Sequence, residues 1–195
     1  MTQGHATPAV ADILGISGSL RTRSHNTSLL RAAYRLAGPG ERVELWNGLE
    51  TIPPFNEDHE HDPGPAVGAM RERVTRCDAV LIATPEYNTS IPGQLKNALD
   101  WLSRPTGRGV LAGKPVAVIS ASPSAYGARW SQETVHRVLD ACGATVIGDP
   151  LCVAHCDRVF TAEGTLHDPA HRFALGRLLT QLGEAARSRD KVELT

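Results

Sequence analysis

A short apolar run that leads through a polar loop into a helical pattern constrains this chain more than any other stretch. The run covers residues 13–16, the loop covers 17–24, and apolar residues at helical spacing follow as far as position 37. A helix that begins directly after a buried strand leaves backbone N–H groups unpaired at its positive dipole end. The stretch therefore predicts a strand, a loop and a helix whose apolar face carries Leu29, Leu30, Ala33, Tyr34 and Ala37.

The polar loop and the helix start offer the groups that a phosphate needs, namely hydroxyl and amide donors and one fixed positive charge. The side chains are Ser19, Arg21, Ser24, Asn26 and Thr27. The loop has neither the Gly-Lys-Ser/Thr of a Walker A motif nor the second and third glycines of the dinucleotide fingerprint. Spacing alone leaves two interpretations open: a phosphate loop, or an ordinary strand-to-helix turn with Ser24 as N-cap and Arg21 in solvent.

The rest of the chain alternates strands and helices. Further strands are predicted at 43–46, 78–83, 115–119 and 145–153, the last interrupted by Gly148 and Pro150. Further helices are predicted at 65–77, 92–104, 134–142 and 169–187, the last with an apolar face of Phe173, Leu175, Leu178, Leu179 and Leu182. This alternation predicts an α/β fold in which helices cover both faces of a five-stranded parallel sheet in the order 2-1-3-4-5. We expect one domain over residues 1–195, with 1–11 as a flexible tail.

In that strand order, three polar loops meet at one edge of the sheet. They follow Ile16, Ala83 and Ile119, at the ends of strands one, three and four. Because these strands lie side by side and run parallel, their carboxyl ends open on one crevice at the topological switch point. The crevice is the predicted ligand site.

Composition limits the classes of function. A formal net charge of -1 over 195 residues gives no indication of a nucleic-acid partner or an anionic membrane. No apolar run has the length of a membrane span, and residues 1–11 lack the pattern of a signal peptide, so we expect a cytoplasmic protein. The four cysteines suggest neither a disulfide framework nor a zinc site, and we expect no metal.

The second polar loop, within 84–101, is the most specific stretch: Thr-Pro-Glu-Tyr-Asn-Thr-Ser-Ile-Pro-Gly-Gln-Leu-Lys-Asn-Ala-Leu-Asp-Trp. Two prolines and a glycine stiffen a loop whose backbone donors suit the edge of a flat heteroaromatic ring. Together with Gly-Ser-Leu-Arg-x-x-Ser-x-Asn at 18–26, it resembles the NAD(P)H-dependent FMN reductase family, which includes bacterial quinone, chromate and azo-dye reductases. The likeness extends from about residue 13 to residue 144.

The resemblance implies a flavodoxin-like three-layer sandwich that binds FMN non-covalently. It assigns the FMN phosphate to Ser19, Arg21, Ser24, Asn26 and Thr27. It assigns the isoalloxazine ring to Pro85, Glu86, Tyr87 and Asn88, and the other edge of the ring to a third loop with Ser120, Tyr126 and Gly127. The alternative that Ser120 is a simple turn residue without ligand contact stays open. Where the family has two adjacent glycines before a helix, this chain has Tyr126–Gly127, and we expect the Tyr126 side chain to enter the crevice.

The function implied is hydride transfer from NADPH or NADH through bound FMN to a quinone, a free flavin or a similar small electron acceptor, in a ping-pong cycle. We assign no catalytic side chain, because the flavin N5 carries the chemistry. Two alternatives are an electron carrier without enzymatic activity and a phosphate-binding module without redox activity. Carriers of this fold tend to be strongly acidic, and the net charge of -1 argues against one.

The resemblance also suggests a homodimer or homotetramer. We expect the 92–104 helix, with an exposed Trp101, and the long 47–68 loop to lie near the partner subunit. Neither nucleic acid nor membrane is an expected partner.

Overall fold

A parallel sheet forms the middle layer of the protein. The computed structural model describes residues 10–193, of which 190–193 by their backbone alone. The strands are β1 (Ala11–Ser17), β2 (Glu41–Trp46), β3 (Ala79–Ala83), β4 (Pro115–Ala121), β5 (Thr145–Val146) and β6 (Leu151–Val153). Their order is β2-β1-β3-β4-β5, with β6 also paired to β4. All the pairings are parallel, and the predicted order is confirmed.

Helices cover both faces of this sheet. They are α1 (His25–Leu36), α2 (Gly64–Arg76), α3 (Gly93–Leu102), α4 (Arg129–Ala141) and α5 (Pro169–Glu193). One buried cluster lies between the sheet and α1 with α5, and a second lies between the sheet and α2, α3 and α4. The three layers confirm the predicted flavodoxin-like architecture. No helix of residues 10–193 is both long and apolar enough to cross a membrane.

The central strands read as continuous apolar runs because both their faces are covered. Every residue of β3 and β4 is buried. The first strand begins earlier than predicted, since Ala11 pairs with Glu41 of β2, so position 11 does not belong to a tail. The remainder of the expected tail, 1–9, lies outside the described residues.

The interruption predicted in the last strand divides it into β5 and β6, which pair with successive parts of β4. Between them Gly148 has φ +77°, and a Cβ there would come within 2.4 Å of the Leu178 side chain. Only glycine combines this backbone conformation with so close an approach.

Helix α4 begins at Arg129, five residues before the predicted start at Thr134. Its first turn buries two polar side chains, Ser131 and Gln132, in line with Val135 and Leu139. Polar residues at core positions conceal the apolar period from which the helix was predicted.

Three aromatic residues lie elsewhere than expected. Tyr34 and Phe173 were predicted on apolar helix faces but are 63% and 69% exposed. Trp101 was expected to be exposed and is instead 1% exposed. Its ring packs edge-on against Phe55 with centroids 4.9 Å apart, and its Nε1 donates to the Pro53 carbonyl at 2.9 Å. Trp101 therefore offers no surface to a partner subunit.

A polar stripe on α3 holds the long segment between β2 and α2. Gln94 Nε2 donates to the carbonyls of Leu49 and Ile52 at 2.8 and 2.9 Å. Asn97 donates to Pro53 O at 2.8 Å and accepts from the Phe55 N–H at 2.7 Å. The segment predicted as a long loop is thus fixed by side chains spaced i, i+3 and i+7 along one helix.

Replacing Trp101 by alanine removes the largest buried side chain of this contact and its hydrogen bond to Pro53. We expect Trp101→Ala to lower the free energy of unfolding by about 3–5 kcal/mol in urea denaturation. The exposed Phe173→Ala serves as control and should stay within about 0.5 kcal/mol of the parent. A loss at Trp101 no larger than at Phe173 would show that this contact does not stabilise the fold.

Candidate active site

Three loops lie at the carboxyl edge of the sheet, as the strand order predicts. The Gly18 N–H donates to Ala83 O at 2.8 Å, and the Thr84 N–H donates to Ile119 O at 2.9 Å. These bonds continue the parallel pairing beyond the strand ends, so the loops after β1, β3 and β4 begin side by side. A Cβ on Gly18 would come within 2.9 Å of the Leu95 side chain, which accounts for the glycine.

The loop after β1 combines a helix cap with a cavity. Ser24 is the N-cap of α1 and accepts from the Thr27 N–H, whose own hydroxyl lies 2.8 Å from Ser17 Oγ. No acidic residue occupies the first turn of α1. The cavity is lined by Ser17, Ser19, Arg21, Thr27 and Arg31, with Trp46, Asn47 and one carboxylate residue, Glu50, on the β2 side. Hydroxyl groups, two guanidinium groups and a helix N-terminus fit a dianionic phosphate.

Both features of the ordinary turn are nevertheless present. Ser24 caps the helix, and Arg21 is exposed, with its guanidinium donating to the Arg23 carbonyl at 3.2 Å. The cap is compatible with a phosphate loop, because a capping serine leaves the remaining N–H groups of the first turn free for an anion.

Asn26 does not fit the role expected of its side chain. It is 3% exposed, its Nδ2 donates to Ala121 O at 3.0 Å, and its Oδ1 accepts from the Ala121 N–H at 2.9 Å. The carboxamide therefore faces the end of β4 and ties α1 to it. Only the backbone N–H of Asn26 stays available to a phosphate.

The loop after β3 ends in an exposed hairpin turn. Tyr87 and Ser90 exchange two backbone hydrogen bonds of 3.0 and 3.1 Å, and Asn88 and Thr89 between them have φ of +51° and +61°. Two successive left-handed residues form a type I′ turn. Tyr87 is 48% exposed, so the predicted ring-binding residues include an accessible aromatic face.

The Glu86 carboxylate accepts a hydrogen bond of 3.2 Å from the backbone N–H of Ser131. A carboxylate at the start of α4 complements the positive end of that helix. The Glu86 side chain therefore links the second loop to α4, which leaves the Glu86 backbone as the part of this residue that could contact a ligand.

Ser120 belongs to a buried network rather than to an open surface. Its hydroxyl donates to Gly127 O and accepts from Gln132 Nε2 at 2.7 Å. Gln132 Nε2 also donates to Leu151 O at 2.8 Å. Ser120 is 0% exposed and lies within β4, so it is not a turn residue, and its buried hydroxyl fixes the third loop from within instead of facing a ligand.

The two left-handed residues directly before α4 are Gly127 and Ala128, with φ of +58° and +66°. A Cβ on Gly127 would lie 2.9 Å from the backbone of Cys152 and Ala154. Residues 127 and 128 therefore both adopt a backbone conformation that favours glycine, and the expected departure from the family at Tyr126 stays a prediction. The Tyr126 ring is 59% exposed and lies 4.7 Å from the Trp130 ring, centroid to centroid. Its entry into the crevice stays a prediction.

Few titratable groups at this edge are poised for acid-base or nucleophilic chemistry. Burial and the nearby Arg21 lower the pKa of His25, the first residue of α1, while Asp157 opposes them. Burial raises the pKa of the Cys152 thiol and that of Cys156 to about 11, so both are protonated at neutral pH. Within residues 10–193, no three or more His, Cys, Asp and Glu side chains are grouped to hold a metal ion.

Sequence reasoning missed the residues that hold the loops together. Thr84, Ser131 and Gln132 are all buried, at 0%, 0% and 1% exposure. Arg129 and Glu133 form an i,i+4 ion pair of 2.8 Å, and this spacing was the available signal that α4 extends N-terminally.

Comparison with known proteins agrees with this geometry. The family model for NADPH-dependent FMN reductase matches residues 11–157. The chain is 38% identical over 172 residues to the NAD(P)H-dependent FMN reductase PA1204 of Pseudomonas aeruginosa, covering 87% of this chain and 92% of the relative. It is 40% identical over 131 residues to a quinone reductase of Pseudomonas putida, covering 67% and 70%.

Among solved structures, the flavoenzyme NAD(P)H:(acceptor) oxidoreductase FerB of Paracoccus denitrificans is similar with a TM-score of 0.80 and 31% identity, over 92% of this chain and 98% of that one. The match of fold, loops and sequence leads to one conclusion: the chain belongs to the NADPH-dependent FMN reductase family and is an oxidoreductase with FMN as cofactor and NAD(P)H as electron donor.

Proposed function

We propose that FMN lies across the three loops and passes hydride from NAD(P)H to a quinone or a similar small planar acceptor. The observation that carries this proposal is the cavity of hydroxyl and guanidinium groups at the start of α1, beside the rigid second loop. Relatives named as quinone reductases support the choice of acceptor.

The side chains have binding and orienting roles in this proposal. Ser19, Arg21 and Thr27, with the free N–H groups of the first turn of α1, hold the phosphate of FMN. Pro85, Tyr87 and Asn88, with the Glu86 backbone, border the ring, and Tyr126 and Gly127 border its other edge. Bound FMN supplies a two-electron acceptor and donor, and no side chain is needed as acid or base.

We further propose that the chain is a single domain that works in the cytoplasm as a homodimer or homotetramer. One sheet with two buried clusters supports the single domain. Trp101 gives no support to the oligomer, because its side chain is buried. The acidic stretch at 57–62 is largely exposed, and it belongs to the 47–68 loop that we expect to lie near the partner subunit.

Anaerobic reduction tests the proposed activity directly. We expect FMN-loaded protein to be yellow, to be bleached by NADPH or NADH under argon, and to regain its colour when a benzoquinone is added. Heat-unfolded protein with the same free FMN serves as control. Flavin that stays oxidised with both nucleotides would contradict the proposal and favour the electron carrier, and reduction without reoxidation by any quinone would contradict the choice of acceptor.

Arg21→Ala tests the phosphate site. A lost charged hydrogen bond costs about 1.5–3 kcal/mol, so the dissociation constant of FMN should rise roughly 10- to 150-fold. Arg23→Ala is a matched control, because it removes the same charge from the same exposed loop without a place in the cavity. Equal effects of the two substitutions on FMN titrations of the apo-protein would mean that Arg21 acts only through net charge.

A further inference from the structure

The peptide group between Pro85 and Glu86 is held by two buried hydroxyl groups. Ser131 Oγ donates to the Pro85 carbonyl at 2.8 Å, and Thr84 Oγ1 lies 2.9 Å from the same oxygen. The two hydroxyl oxygens are 2.8 Å apart, and both residues are 0% exposed. The three oxygen atoms therefore form a closed triangle between the second loop and α4.

The triangle contains two hydrogen atoms for three contacts. Whichever hydroxyl donates to the other, at least one hydrogen points at the Pro85 oxygen, because two hydroxyls cannot donate to each other at once. Hydroxyl groups buried this deeply are costly unless they are bonded. Rotating the peptide would leave at least one of the two hydroxyls without an acceptor, because only one of them can donate to the other, so the orientation of the peptide is strongly held.

A fixed carbonyl also fixes the neighbouring N–H. In a trans peptide the two groups point in opposite directions, and the cis bond within residues 10–193 is Arg104–Pro105, not this one. The Glu86 N–H therefore points away from Ser131 and α4. It has no hydrogen-bond partner among the described residues, whereas the Tyr87 and Ser90 N–H groups are used within the hairpin turn.

The Glu86 side chain cannot turn round to meet its own N–H. Its carboxylate is bound to the Ser131 N–H at 3.2 Å, so a single residue of α4 restrains both the backbone and the side chain at this point. The Glu86 N–H is thus an unpaired donor at a defined position in a loop that two prolines stiffen.

We propose that Ser131, assisted by Thr84, is a positioning residue that presents the Glu86 N–H to the flavin and keeps the Pro85 carbonyl turned away. The inference rests on the proposed function. Oxidised isoalloxazine has acceptor atoms at N1, O2, O4 and N5, and its single edge donor is N3–H. A fixed N–H matches the acceptors, and it stabilises negative charge that develops on them during hydride transfer without reorganisation.

Four variants of the full chain separate this role from general packing. Ser131→Ala and Thr84→Val each remove one hydroxyl, and Ser131→Ala combined with Thr84→Val removes both. Ser131→Ala combined with Thr84→Ser keeps one hydroxyl, as Ser131→Ala does, and should retain the peptide orientation that the double removal loses. Thr134→Ala is the control, because the Thr134 hydroxyl donates to Trp130 O and accepts from the Arg137 guanidinium, both exposed contacts within the same helix.

The readout is the Glu86 amide itself, followed by NMR hydrogen exchange in apo-protein and FMN-loaded protein. In the wild type, FMN should slow exchange of this amide by at least about tenfold, as expected for a new hydrogen bond. The double removal should abolish that protection and raise the FMN dissociation constant roughly 3- to 10-fold. Each single variant should lose less than the double, and Thr134→Ala should match the wild type.

The outcomes distinguish this inference from the proposed function. Wild-type protein that does not bind FMN would overturn the proposed function. Wild-type protein that binds FMN without slowing exchange at Glu86, or a folded double variant that keeps the protection, would overturn the role of Ser131. If the double variant does not fold, Ser131→Ala alone and Ser131→Ala combined with Thr84→Ser decide by the same amide.

Discussion

The rest of the site depends on the parallel pairing of β1, β3 and β4. Two backbone hydrogen bonds, Gly18–Ala83 and Thr84–Ile119, continue this pairing into the loops. Parallel strands deliver their following loops to one edge, and each loop here inherits its starting position from a backbone hydrogen bond. A Cβ on Gly18 would come within 2.9 Å of the Leu95 side chain and 3.4 Å of Pro85 in the second loop, so a larger residue there would require these groups to shift. Strand order, and not any one side chain, brings the loops together.

Much of the chemistry at this edge is left to the backbone. The Ser24 side chain caps α1, and the Asn26 side chain ties α1 to β4. The Glu86 side chain joins the second loop to α4, and the Ser120 side chain holds the third loop. Each of these contacts fixes a loop, and the loops then present unpaired N–H groups. A rigid set of donors suits a cofactor that carries out its own redox chemistry and needs orientation and charge stabilisation from the protein.

The fold could be predicted because β3 and β4 are continuous apolar runs and because helices alternate with them. The loops could be predicted from their polarity and their place after the strands. What could not be predicted were the partners of individual side chains. Ser131 and Gln132 are polar residues at core positions of α4. Trp101 is buried by a segment that is distant in sequence, since Phe55 lies 46 residues away. Local periodicity contains no information on such contacts.

The loop after β1 and the start of α1 form the proposed phosphate site. Titrating apo-protein with FMN and with riboflavin, which lacks only the phosphate, isolates the contribution of this site to binding. We expect FMN to bind more tightly by at least about 2 kcal/mol, roughly 30-fold in dissociation constant, and added salt or inorganic phosphate to narrow the difference in affinity. Equal affinity for the two flavins would contradict the proposed phosphate site.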